Sequence, residues 1–321
     1  MQVFANHKGE AVYEAVLTSN AGVSVSILSL GAIVRDWRVP RRDGSMRSVT
    51  LGFDDFEPYI GNEKAFGIVA GRIANRVRNG RFSLDGTDYQ LDLNMPPDHI
   101  HGGAGGLGKR VWQMESDGQR ARLTCDSPDG EMGYPGTVSF AVEIALSDHT
   151  VTFHMTAAPD RPTPIALAQH SYYHLGGPVG EHTFQVAADK VTELGPRKIP
   201  TGAIVDTGGT PLDFRRARAL GDTEMDINYC LESADPAAVL TGADYRLELR
   251  TDRPGLQIYN GYDFKPMDSA GHDGRRYGPF PGIALEAQDF PDAINHPAFP
   301  SVVCTPQSPY RQTTSVTVVP L

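Results

Sequence analysis

Cysteine is scarce in this 321-residue chain. The three present, Cys125, Cys230 and Cys304, are odd in number and far apart, which argues against a disulfide framework and against a Cys-x-x-Cys metal knuckle. A reducing cytoplasm is the simplest compartment for such a chain. No apolar run approaches the roughly 20 residues needed to span a bilayer. The opening stretch Met1 to Gly9 lacks the basic segment and apolar core of a secretory signal, so no membrane partner is expected. Positive charge is in the minority: 29 Lys and Arg against 39 Asp and Glu give a net charge of -10, which speaks against nucleic acid as a partner. Neither a Gly-x-Gly-x-x-Gly fingerprint nor a P-loop is present, so no nucleotide cofactor is expected.

Uninterrupted helix-forming runs are also few. Turn formers are plentiful instead, with 34 Gly and 24 Pro spread along the chain. Between them lie short alternating runs. Val23, Val25 and Ile27 alternate with serines; Val138, Phe140, Val142, Ile144 and Leu146 alternate with smaller or polar residues. Val151, Phe153 and Met155, then Tyr245, Leu247 and Leu249, then Val316 and Val318 repeat the pattern. A period of two with one apolar face is the signature of strands that bury one side. Arg81 to Leu84, Asp85-Gly86 and Thr87 to Leu91 read as a tight hairpin, because Asp-Gly tolerates the positive φ of such a turn. Helix is expected only in short turns such as Pro236 to Leu240. With no repeat, low-complexity tract or linker, the expectation is an all-β chain folded as a single large antiparallel β-sandwich over residues 1–321.

Three constellations carry chemistry. Gly71-Arg72-Ile73-Ala74-Asn75-Arg76, with Asn94 and His99-Ile100-His101-Gly102-Gly103, supplies donors for hydroxyl and ring oxygens beside glycines that let backbone approach a ligand. Standing alone, Arg72 and Arg76 also read as a surface salt-bridge pair. Ala168-Gln169-His170-Ser171-Tyr172-Tyr173-His174 holds an imidazole able to exchange a proton near neutrality, with Tyr172 and Tyr173 as aromatic faces for a sugar. Asp226, within Met225 to Cys230, and Gln257 offer polar groups for sugar hydroxyls. The fourth feature is Glu286: alternation puts Ile283 and Leu285 on one strand face, Ala284 and Glu286 on the other, at the lip of a Pro-rich loop. A carboxylate so placed suits a general base. His99-x-His101 has the spacing of a metal pair, but glycines fill the region where a third ligand would sit and the next acid is Glu115, so no metal is expected.

Taken in order, Gly71 to Arg76, His101-Gly102-Gly103, Gly133-Tyr134-Pro135-Gly136, His170-Ser171-Tyr172, Asp226, Gln257 and Leu285 to Asn295 resemble the aldose 1-epimerase (galactose mutarotase) family across nearly the whole chain. The resemblance implies a galactose mutarotase-like supersandwich that interconverts the α and β anomers of a free aldose without a cofactor. It implies Glu286 as base and His170 as acid, with Asn75, Arg76, His101, Asp226 and Gln257 holding a monosaccharide. Where the family often has Asn, this chain has Ala166, Gln169 and His174; Phe290 replaces a common Trp and Ile227 a frequent His, departures expected to bear on which sugar fits. The substrate is expected to be an unphosphorylated hexose or pentose, glucose or galactose foremost, since Lys109-Arg110 is the one cation pair near the motifs suited to a phosphate. A sugar-phosphate epimerase, a glycoside hydrolase or lyase, and a non-catalytic carbohydrate-binding protein are the rival readings. The oligomeric state is left open.

Overall fold

The computed structural model describes residues 1–321, and strands dominate it. The alternating runs come together as an antiparallel sheet of nine strands. Its order is Gln113–Ser116, Arg120–Ser127, Val138–Ser147, Thr150–Pro159, Tyr310–Pro320, Tyr245–Thr251, Ala238–Thr241, Thr183–Val186 and Arg218–Ala219. Facing it is an antiparallel sheet of six: Tyr172–Tyr173, Ile283–Gln288, Gly255–Tyr259, Asp226–Cys230, Lys190–Leu194 and Pro200–Asp206. A five-stranded sheet built from residues 2–48 closes one side. Phe140, Val142, Phe153, Leu247 and Val316 from the first sheet meet Tyr229, Leu256, Ile258, Ile283 and Leu285 from the second, with Val25, Trp37 and Val39 from the third, in one core of 54 buried residues. Burial of this many apolar side chains is the main force holding the layers together.

The six-stranded sheet has two chemically different faces. Ile227 pairs across the strands with Ile258, and Ile258 with Leu285, all facing the core. One residue along, Asn228 pairs with Gln257 and Gln257 with Glu286; two residues further, Asp226 pairs with Tyr259. The alternation seen in the sequence therefore selects a polar outer face, and loops cover it.

The hairpin forms as expected, Arg81–Leu84 pairing with Thr87–Gln90 through Asp85 and Gly86 at φ +51° and +75°. Pro236 to Leu240 is not helical. Ala238–Thr241 is a strand between Thr183–Val186 and Tyr245–Thr251, with Ala238 and Leu240 in the core. Five residues are too few for a period to be read, and the open edges of two neighbouring strands decide the matter. Helix is confined to Glu57–Gly61 and isolated 3-10 turns, and no helix is long and apolar enough to cross a membrane.

Candidate active site

Two short strand pairs bring the distant motifs together over the polar face. Val69–Ala70 pairs with Ala168–Gln169, which sets His170 beside the Gly71 to Arg76 loop. Arg76–Val77 pairs with His99–Ile100, which sets His101 against Asn75. Asn75 and His101 both adopt positive φ, +60° and +50°, followed by Gly102 and Gly103 at +86° and +95°. A side chain at Gly102 would collide with the Gly71 carbonyl, so only glycine lets these two loops touch. The result is a cleft of about 590 Å³ with Glu286, His170, His101, Arg76 and Asp226 in its wall.

At its floor His170 Nε2 lies 3.5 Å from Glu286 Oε1, and both residues are almost wholly buried, 4% and 2% exposed. Glu286 Oε2 and His170 Nδ1 have no partner in the protein. Burial pushes the Glu286 carboxyl well above the usual carboxylate range; the Asp226 charge adds to this and the Arg76 guanidinium opposes it. Burial also lowers the His170 imidazole, to about 4, its own backbone and Asp226 working the other way. Burial thus disfavours charge on both groups, and at this separation their titrations belong to the pair rather than to either residue.

The ring around this pair is made of donors. The Asn75 N–H donates to His101 Nδ1 at 3.2 Å, which puts the imidazole proton on Nε2. Burial, and the neighbouring His170 and Arg76, hold His101 neutral. Asn75 Oδ1 accepts from the Arg76 backbone N–H at 2.8 Å, leaving the Asn75 amide NH2 for a ligand. Arg76 Nη2 stands 3.8 Å from Asp226 Oδ2. Gln257 does not line the cleft; it sits behind Asp226, donating Nε2 to Oδ1 at 2.7 Å.

Other expectations are revised. Arg72 is neither surface nor salt-bridged: it is 2% exposed and donates to Ser127 Oγ and to the carbonyls of Ser127, Pro128 and Pro135, over the Tyr134 ring. It ties the Gly71 loop to the Gly133 to Gly136 segment. Tyr172 is in the cleft wall, its hydroxyl on the Lys64 carbonyl at 2.8 Å, while Tyr173 faces the opposite way into the core. His174 is remote from the cleft, near Arg47 and His182. Of the departures expected to tune the sugar, Ala166, Gln169, Phe290 and Ile227 are buried and none lines the cleft. Arg110 is spent on Glu131 at 2.9 Å, whereas Lys109 does reach the cleft and donates to the Gly61 carbonyl. Sequence reasoning missed Tyr259, Lys64, Asp263 and Lys198 in the wall. Tyr259 was accessible through the same i, i+2 alternation that links it to Gln257; nothing in the sequence marks the others.

Donor atoms of His101, His170 and Glu286 lie within 4.8 Å of one another, near enough for one metal ion. The protonation pattern does not suit one. His101 Nδ1 is taken by the Asn75 N–H and its Nε2 carries a proton, so neither nitrogen offers a lone pair. His99 is also engaged on both sides, donating Nδ1–H to the Asp92 carbonyl at 2.6 Å and accepting from the Tyr134 hydroxyl at 2.6 Å.

The sequence model of the family described as aldose 1-epimerase matches residues 14–317. Galactose mutarotase of Rattus norvegicus is 34% identical over 322 residues, 95% of this chain and 94% of that protein. Aldose 1-epimerase of Escherichia coli K12 is 32% identical over 310 residues, covering 90% of this chain and 89% of that one. Among solved structures, a C. elegans aldose epimerase homologue superposes with a TM-score of 0.91 at 25% identity, covering 97% of this chain and all of that one. Galactose 1-epimerase from Lactobacillus acidophilus gives 0.88 at 26%, covering 99% and 98%. With fold, site order and sequence similarity all extending over nearly its full length, the chain belongs to the aldose 1-epimerase family.

Proposed function

We propose that this protein interconverts the α and β anomers of a free, uncharged aldose of the glucose or galactose type, and that Glu286 and His170 carry the proton transfers. The observation that supports this most is the buried carboxyl–imidazole pair, 3.5 Å apart, with one carboxylate oxygen unpartnered and a ring of neutral and cationic donors around it. Anomer exchange needs one proton removed from the C1 hydroxyl and one delivered to the ring oxygen. Glu286 in its ionised form takes the first; His170 in its protonated form supplies the second. The C1–O5 bond breaks, C1 becomes an aldehyde, and rotation about C1–C2 exposes its other face. Closure runs the transfers backwards, so no proton, electron or cofactor is consumed. Each positioned proton-transfer group of this kind contributes about 10²–10⁴-fold. In this reading Arg76 and the His101 Nε2–H, both in the cleft wall, donate to sugar oxygens and Asp226 accepts from hydroxyls.

Hydrolysis of a glycoside calls for two carboxyl groups flanking the bond. Asp226, the carboxylate nearest in role, is already bound by Gln257, Lys198 and Arg76, which suits a binding group better than a second acid. We read the whole chain as one domain working in a reducing cytoplasm. Polarimetry on freshly dissolved α-glucose and α-galactose is the test: the protein should speed the approach to the equilibrium rotation. Glycoside cleavage without such acceleration would favour a hydrolase, and sugar binding without either would favour a non-catalytic module.

A further inference from the structure

The Lys198 ammonium is the least expected feature of the cleft. It comes from a turn, Pro196–Lys198, inserted where the pairing of Lys190–Leu194 with Pro200–Asp206 loses register between Thr192 and Leu194. Arg197 and Lys198 sit in succession at φ +62° and +59°. Two consecutive non-glycine residues in the left-handed region are strained, and such strain persists where the surroundings hold it. Here both side chains are anchored. Arg197 reaches back to Asp98 at 3.3 Å and Asn79 at 3.2 Å. Lys198 turns into the cleft, its Nζ 2.8 Å from Asp226 Oδ2 and 4.8 Å from the centre of the Tyr262 ring. Asp226 is thus held on one oxygen by Gln257 and on the other by Lys198, with Arg76 further off at 3.8 Å.

We propose that Lys198 is a positioning residue for the epimerase reaction, its ammonium partly balancing the Asp226 carboxylate so that Asp226 is presented to the sugar and its negative charge bears less on the base Glu286. The inference rests on the reading of the site given above. The groups facing Glu286 are His170, His101, Arg76, Tyr172 and Asp226; of these Asp226 alone brings a negative charge, and its effect is to hold the Glu286 proton on. Facing Asp226 are Gln257, Arg76 and Lys198, with Tyr259, Tyr262 and Asp263 behind them. Gln257 is neutral and Arg76 must serve Glu286 and the sugar as well. Lys198 therefore supplies the nearest full charge to Asp226. Burial works against that ammonium, but Asp226 and the Tyr262 hydroxyl more than offset it and keep Lys198 charged. Its side chain is one-third exposed, so the pairing acts as local charge balance rather than as a structural brace.

The sign follows. Without Lys198 the Asp226 charge is less compensated, Glu286 keeps its proton to higher pH, and the base is available over a narrower range. The experiment is the pH profile of kcat/KM by polarimetry for wild type, K198M and K198R, each checked by thermal melting. K198M should lose about 10-fold in kcat/KM near neutrality, with its acidic limb moved up by about one pH unit and the gap to wild type narrowing in alkali, one unit being one tenfold step in protonation. K198R should bring the limb back. In a D226N background K198M should move the limb no further, because the group it acts through is gone. An acidic limb unmoved in K198M, a loss of equal size at every pH, or a K198R profile like that of K198M would each overturn the proposal while leaving the epimerase reading intact. A wild type without mutarotation would remove both.

Discussion

At the residue scale, burial sets a pH-dependent stability term on Glu286, the proposed base. Its carboxyl is pushed up by burial and by Asp226, so the native state holds the proton more tightly than the unfolded chain does. That contribution to stability is full below the unfolded pKa of about 4.3 and is lost as pH rises through the folded value. Glu286→Gln removes the titration and should act in two directions. It should cut kcat by about 10²-fold or more, because the proposed proton acceptor is gone. It should also melt higher than wild type by an amount that grows from near zero at about pH 4 to about 1–3 °C at pH 8, one pKa unit being worth about 1.4 kcal/mol. His170→Asn should match the kinetic loss without that pH-dependent gain. A Glu286→Gln enzyme that keeps more than half the wild-type rate would remove Glu286 as the base.

At the scale of elements, the long strands were readable and the short ones were not. Val138–Ser147 and Thr150–Pro159 alternate over ten residues each with one buried face, a pattern that only a half-buried strand satisfies. Arg76–Val77, His99–Ile100 and Ala168–Gln169 have two residues each, below the length at which any period exists, yet they bring Asn75, His101 and His170 together. Those site residues were reachable only through the order of their motifs. Lys198 had no such motif, and its direction is set by a turn whose φ values no local pattern announces. Ile227 misled for the opposite reason: it adjoins Asp226, but one step along a strand is the other side of the sheet. The loop contact at Gly102 gives a test of how the site is assembled. A Cβ there would stand 1.7 Å from the Gly71 carbonyl oxygen, whereas one at Gly86, with a similar positive φ, meets nothing within 4 Å. Gly86→Ala should cost about 1 kcal/mol, the conformational term alone. Gly102→Ala should cost about 3 kcal/mol or more and lower Tm by at least about 5 °C, with activity falling in the fraction that still folds. Equal melting of the two variants would show that the loops separate without cost.

At the scale of the whole molecule, charge decides what the cleft accepts. The chain carries -10 overall, so an anion approaches against a repulsive field. Inside the cleft Lys64, Arg76, Lys109 and Lys198 stand with Glu63, Asp226 and Asp263, while burial holds Glu286 toward its neutral form. None of the cations is idle. Lys198 and Arg76 face Asp226 at 2.8 and 3.8 Å, Lys64 faces Asp263 at 3.7 Å, and Lys109 donates to the Gly61 carbonyl. A phosphate dianion would have to draw at least one of them off its partner and leave a carboxylate or carbonyl unpaired, which costs more than a new contact at the rim returns. An uncharged sugar meets no such barrier, because its hydroxyls use the donors and acceptors as they stand. Glucose should therefore exceed glucose 6-phosphate by at least about 10-fold in kcat/KM at equal ionic strength, and the ratio should shrink as salt screens the field. Lys109 is the cation least committed to a carboxylate, so Lys109→Ala should widen the ratio further. A preference for the phosphate ester that Lys109→Ala abolishes would mean that Lys109 leaves the Gly61 carbonyl to bind it, and the cleft would then be built for an anion.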